Sequence, residues 1–300
     1  MTIVTDPTLP KGHTHLMTSA NLTSSQLIFT RKPPKRELVQ PGVGYFALSE
    51  LNELNSGYYH DTCHALEVSE LVRDMALGLG RDEDRAEFLK QVALLHDADP
   101  RICGQTGLAQ PGTPARVQVT LSWMESHRQD LERRFGWEGV QFHEACALIA
   151  RTDYPFDRAP REFGTRFDGL SPVDVYREFL WKLPRRVRLQ CFEDALVLRF
   201  ADQVSAYVSS FERARKSVRD LVDELKNTGA PVTFEQILNN TPRFLGQVGR
   251  DLDHDRDLTK ELNMPSLRLP GRRKILAALG LKKRWRLTRN YFKFRLGHTR

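Results

Sequence analysis

The sequence predicts an all-α fold, an array of helices, on three observations. Apolar residues recur at helical spacing from Phe46 as far as Lys226. No run alternates with the two-residue period of a strand. The breaks between periodic segments carry the Gly, Pro and Asp that stop and start helices.

Residues 1–42 contain Pro, Thr, Ser and Lys without sustained periodicity, and Lys32-Pro33-Pro34-Lys35 disfavours helix. A flexible lead-in is expected there, with one short docked segment at 27–30. Leu66, Val68, Leu71, Val72, Met75 and Leu79 share a helical face, and Gly78 or Gly80 can end that helix. Phe88, Leu89, Val92, Ala93 and Leu95 mark a second helix, with Asp82 or Asp84 suited to its start. Residues 98–115 are rich in Gly and Pro and read as a loop, and 117–135 as one charged helix. Residues 140–151 form another apolar-faced helix, and 153–172 read as a long surface insertion. Residues 189–226 are expected to form one long helix or a kinked pair, burying Phe211, Ala214, Val218, Leu221 and Leu225. A main domain over 43–228, a helical extension over 229–262 and a basic, aromatic-rich tail over 263–300 complete the expected organisation.

Composition narrows the class. With 40% apolar and 28% charged residues in 300, a disordered or fibrous chain is excluded. No apolar run approaches the ~20 residues of a spanning helix. The first 17 residues lack an apolar signal core, and Cys63, Cys103, Cys146 and Cys191 form no C-x-x-C pair. Both features lead to the expectation of a cytoplasmic protein with reduced thiols.

The net charge of +7 is unevenly placed. Residues 262–300 hold twelve Lys or Arg and no acid, which leaves 33 basic against 38 acidic residues elsewhere, a net of −5. In that tail, basic residues interleave with Trp285, Tyr291, Phe292 and Phe294. The pattern suits a nucleic-acid backbone with stacking, or an anionic membrane surface. It equally suits a helix whose aromatics dock on the rest of the protein while its charges stay wet.

Chemistry is expected where polar groups fall on apolar helical faces. His64 shares its face with Val68 and Leu71. His96, followed at once by Asp97, shares one with Leu89 and Val92, and Asp202 shares one with Ala195, Leu198 and Ala206. Buried groups of this kind must pair or ligate something, because an isolated buried carboxylate is too costly. Imidazole nitrogen with carboxylate oxygen is a ligand set for Zn, Mn or Fe, and a carboxylate can bridge two ions. His60, four residues before His64, can face the same cavity and donate a proton near neutral pH. Asp153 is either a carboxylate orienting a ligand or water, or a turn residue. Asp99 either orients a water or begins the loop that Pro100 continues. Arg158, Arg161, Arg166, Arg185, Arg186 and Arg188 are candidates to reach a substrate phosphate.

The order His64, His96-Asp97, Asp202 resembles the HD-domain superfamily of metal-dependent phosphohydrolases. Tyr59-His60-Asp61-Thr62-Cys63-His64 resembles the Tyr-His-Asn-x-x-His segment of the class I cyclic-nucleotide phosphodiesterases. Leu94 to Asp99 resembles their His-Asp-x-Asp stretch, Ala150 to Asp153 their Ala-Thr-Asp segment, and Ala201 to Ser205 their Ala-Asp-x-Ser segment. These blocks span roughly residues 58–206. The chain departs from the pattern at Asp99-Pro100-Arg101, where those enzymes carry another His and a Gly, and it has no clear counterpart of their base-clamping glutamine.

The resemblance implies that His64, His96, Asp97 and Asp202 hold a first metal, that Asp97 bridges to a second, and that His60 is the general acid. Dinuclear members order their ligands His, His-Asp, His, His, Asp, which makes His127 and His143 candidates for a second ion. The implied cofactor is one or two divalent ions, Mn, Mg, Zn or Fe. The implied activity is hydrolysis of a phosphoester by a metal-activated hydroxide, a phosphodiester or nucleotide first. Alternatives are a nucleotide phosphomonoesterase or triphosphohydrolase, a di-iron oxygenase, and a non-catalytic scaffold that binds nucleic acid or membrane through residues 263–300.

Overall fold

A computed structural model describes residues 58–99, 115–261 and 271–297, all within one unit that runs from residue 42 to residue 300. The lead-in at 1–42, the periodicity before residue 58 and residues 100–114 of the expected loop lie outside the described residues. Every regular element among those described is helical.

Helix α1, Thr62–Gly78, starts at Asp61, whose carboxylate accepts the His64 amide at 2.8 Å, and it ends just before Gly80 at φ +83°. Helix α2, Glu83–Leu95, is capped by Asp82, and Glu83 and Asp84 suit the positive end of its dipole. The expected charged helix over 117–135 is instead two, α3 (Val117–Ser126) and α4 (Arg128–Phe135). The break is at His127, φ −107° and ψ 15°, where Ser126 Oγ and His127 Nδ1 both turn back to the Trp123 carbonyl at 2.8 and 2.9 Å. Side chains that compete for backbone groups interrupt a helix in this way.

Helix α5 is Gly139–Ala150. The 153–172 insertion is less superficial than expected: Phe167 is fully buried against Phe179, with ring centroids 5.8 Å apart. A helix that the periodicity did not single out, α6 (Pro172–Trp181), follows it, with Ser171 as N-cap and Pro172 in the first turn. Of the two readings for 189–226, the kinked pair is correct. Helix α7 (Arg185–Val204) and helix α8 (Phe211–Asn227) are separated by a 3₁₀ turn over Ser205–Val208. Helix α9, Phe234–Glu261, carries Pro242 within it.

Helices α1, α2, α5 and α7 enclose the main core, where Val68, Val72, Leu89, Val92, Leu148 and Leu198 are fully buried. An ion network also crosses it. The Arg85 guanidinium holds Glu144 with two bonds of 2.6 and 2.9 Å and reaches Asp194 at 2.8 Å, while Arg81 binds Asp194 at 2.9 Å.

The described part of the basic tail, residues 271–297, folds onto this array as α10 (Arg272–Ala278) and α11 (Leu281–Arg295). Helix α10 meets α1 so closely that a Cβ at Gly78 would lie 2.9 Å from the Ala278 carbonyl oxygen. Helix α11 packs on α8, α9 and the 3₁₀ turn. Phe294 sits against Tyr207 and Phe211, and the buried Asn290 amide donates to the Tyr207 and Ser209 carbonyls at 2.8 and 3.1 Å. No helix among the described residues is long and apolar enough to cross a membrane.

Candidate metal centre

Three helix ends converge on one point. The Asp61 cap fixes the first turn of α1 and with it His64. His96 is the C-cap of α2, Asp97 follows it, and Asp202 lies in the last turn of α7. The C-terminal ends of α2 and α7 bring partial negative charge, which favours a cation.

Ligand atoms of His64, His96 and Asp202 all lie within 4.8 Å of one another. His64 Nε2 is 3.1 Å and His96 Nε2 3.4 Å from Asp202 Oδ1. Asp97 falls outside that three-residue group but touches both imidazoles, its Oδ2 lying 3.0 Å from His96 Nε2 and 3.5 Å from His64 Nε2. Bonds of about 2.0–2.2 Å to a common ion place neighbouring ligand atoms about 2.9–3.5 Å apart. The four contacts fall within that range.

The protonation pattern supports the same fit. His96 Nδ1 donates to the Ala93 carbonyl at 2.6 Å, so its Nε2 faces the two carboxylates either with a bare lone pair or as part of an imidazolium. Neither His96 Nε2 nor Asp97 Oδ2 has a hydrogen-bond partner, although both are buried. Acceptor facing acceptor in a buried site requires a positive charge between them. Without metal that charge is a proton. Burial opposes it, but the Asp97 and Asp202 carboxylates prevail and hold the His96 imidazole well above its ordinary pKa. The same coupling keeps Asp97 well below the carboxylate range against the effect of burial. The same two carboxylates can compensate a metal ion in place of that proton, and His96 must release the proton for the ion to bind.

Beside the cluster, Glu224 of α8 grips His60 twice. His60 Nδ1 is 2.5 Å from Glu224 Oε1, and the His60 amide donates to Oε2 at 3.1 Å. The carboxylate is fully buried while the imidazole is one-fifth exposed, and the His60 ring lies 5.9 Å from that of His64. Burial lowers the imidazole's pKa, but Glu224, Asp97 and Asp202 together raise it to about 9. The Tyr59 ring lies tilted against that of His64, with centroids 4.6 Å apart; burial and then Asp202 keep its phenol protonated.

Glu224 did not emerge from the sequence, and Tyr59 appeared there only as the first residue of the Tyr59–His64 segment, with no role assigned. Glu224 forms a polar stripe with Ser217 and Asp220 at helical spacing, and all three are buried. In sequence that stripe is indistinguishable from a solvated face.

The other carboxylate candidates have partners of their own. Asp99 is fully buried and accepts the Arg116 amide at 2.9 Å, which ties it to the start of α3. Asp153 pairs with Arg161. The structure does not bring His127 or His143 into the cluster. His127 stacks on Trp123 with centroids 5.0 Å apart. Burial, with the charges of Arg128 and Lys182, holds His143 below its ordinary pKa. Of the candidate arginines, Arg166 is engaged by Glu125 and Glu178, and Arg188 by the Leu183 carbonyl and the Trp181 ring.

No family model, curated protein or solved structure matches this chain.

His60 carries a direct prediction. Its folded pKa of about 9 exceeds the ordinary 6.5, so its contribution to stability is complete below about pH 6.5 and is lost as pH rises through about 9. In the metal-free protein, NMR should follow the His60 ring titrating near pH 9, and Glu224→Gln should move that titration toward neutrality. An unchanged titration in the variant would show that Glu224 does not control the proton.

Proposed function

We propose that the chain is an HD-type metal-dependent phosphohydrolase whose preferred substrate class is the phosphodiester. The observation that carries the reading is the placement of a carboxylate-held imidazole, His60 on Glu224, beside the convergent donors of His64, His96 and Asp202. His64, His96, Asp97 and Asp202 would hold the ion, and their mixed nitrogen and oxygen donors favour Mn, Fe or Zn over Mg. When bound, the ion acidifies water and offsets charge growing on the phosphoryl oxygens.

The remaining chemistry belongs to the side chains. Glu224 fixes the His60 tautomer by holding Nδ1–H, which leaves Nε2 to carry the transferable proton. As a water oxygen adds to phosphorus and loses a proton to solvent, the bond to the leaving group breaks, His60 supplies the proton that the departing oxygen requires, and solvent then reprotonates His60. Glu224 stabilises the imidazolium until that moment. A positioned acid of this kind contributes about 10²–10⁴-fold. It matters most for a diester, whose leaving group is an alkoxide or aryloxide. Tyr59 and the Asp61 cap keep the His64 ring and backbone in register with the cluster.

The test is hydrolysis of bis(4-nitrophenyl) phosphate and of 4-nitrophenyl phosphate after chelation and re-addition of Mn²⁺, Fe²⁺, Zn²⁺ or Mg²⁺. The expected result is turnover that chelation removes and Mn²⁺ or Fe²⁺ restores, faster on the diester. Absence of turnover with all four ions would refute the hydrolase reading. A preference for the monoester would refute the assigned substrate class.

A further inference from the structure

Seven large hydrophobic residues are exposed among the described residues, and four of them, Leu281, Trp285, Phe292 and Leu296, belong to α11 and its C-cap. They are between 50% and 78% exposed. At about 100° per residue they fall within an arc of roughly 60° on one side of the helix. The buried Asn290 and Phe294 lie on the opposite side, where they fasten α11 to the 3₁₀ turn and α8. The apolar stripe is therefore an outward face of an anchored helix.

Charge frames the stripe on both flanks. Residues 271–297 contain ten Lys or Arg and no Asp or Glu. On the helical wheel Lys282, Arg289 and Lys293 lie to one side of the stripe, and Arg284 and Arg295 to the other. An apolar strip edged by cations is the arrangement of a helix that lies in the plane of an anionic membrane, with its stripe among the acyl chains and its charges at the headgroups.

We propose that the outer face of α11 docks this protein on an anionic phospholipid bilayer. Two other occupants fit less well. A second copy would bring two strongly basic faces together. Single-stranded nucleic acid would stack on aromatics, but half of the stripe is leucine, and the Arg289 guanidinium already lies 4.8 Å over the Trp285 ring. Because α11 is folded and anchored before contact, docking carries no cost of ordering the helix. Residues 1–261, with their net charge of −5, are repelled from the same membrane and turned outward.

The experiment is co-sedimentation of the full chain with vesicles of phosphatidylcholine alone or with one-quarter phosphatidylserine, at low and high salt. Partition should require the anionic lipid and weaken in high salt. Trp285→Ser with Phe292→Ser should reduce it about tenfold or more, and Lys282→Gln, Arg284→Gln and Arg295→Gln together about 100-fold, at about fivefold per charge. Thermal melting should stay at the wild-type value in both variants, since all five positions are outward-facing. No partition, or equal partition onto the neutral vesicles, would overturn the proposal. So would tight binding of a single-stranded 20-mer that outcompetes the vesicles.

Discussion

Replacing Asp97 with Asn is expected to lower metal-dependent hydrolysis by more than about 100-fold while leaving the helical fold in place. Asn keeps the shape of the side chain and loses its charge at the atom that touches both His96 Nε2 and His64 Nε2. Changes to groups that merely orient a ligand already cost about 10–100-fold in affinity or activity, so loss of a direct anionic donor should exceed that range. A second signature follows from the proton balance. Asp97 is a main cause of His96's raised pKa, so in the metal-free variant His96 should release its proton at lower pH. The depressed pKa of Asp97 also stabilises the wild-type fold above the ordinary carboxylate range, and that contribution is lost as pH falls through the folded value. The metal-free variant should therefore melt somewhat lower than wild type at neutral pH, and the difference should close in acid.

The largest effect on stability is expected from Arg85→Ala. The Arg85 side chain is mostly buried, and it lies between Glu144 and Asp194, whose carboxylates are almost fully buried. Removing it leaves two carboxylates with only Arg81, bound to Asp194, as a remaining partner. Breaking a buried ion network on one side typically costs about 3–5 kcal/mol, a large share of the ~5–15 kcal/mol that holds a domain together. Burial already raises the pKa values of Glu144 and Asp194, and losing Arg85 raises them further. The variant's deficit should thus be greatest at neutral and alkaline pH and shrink as pH falls, because the carboxyls then fold protonated. Urea unfolding at two pH values reads both the size and the sign. A deficit independent of pH would mean that lost packing, and not exposed charge, is what Arg85 prevents.

The regular parts of this fold were legible because their causes are local. The apolar stripe from Leu66 to Met75 and the Asp82 cap each lie within one helix, and α1 and α2 follow them closely. Breaks were harder to see. The interruption at His127 depends on two side chains turning to the Trp123 carbonyl, and the 3₁₀ turn after α7 is fixed by contacts with α8 and with Asn290 of α11. Helix α6 had a readable start in Ser171-Pro172, but it is short and follows a loop already rich in Pro.

The candidate site divides along the same line. His64, His96 and Asp202 stood out as polar residues on apolar faces, and they meet. Glu224 did not stand out. Its partner His60 is 164 residues away, and only the docking of α8 brings them together. His127 and His143 show the converse, since ligand order along a chain does not fix the side chains' positions in space.

His64, His96 and Asp202, with Asp97, are expected to hold one divalent metal ion. Equilibrium dialysis of the metal-stripped protein against Mn²⁺ and Zn²⁺, followed by elemental analysis, tests it most directly when run beside His64→Ala and Asp202→Asn. Tight binding of at least one ion per chain is expected in the wild type, with that ion lost in both variants. Equal metal content in all three proteins, or none in the wild type, would contradict it.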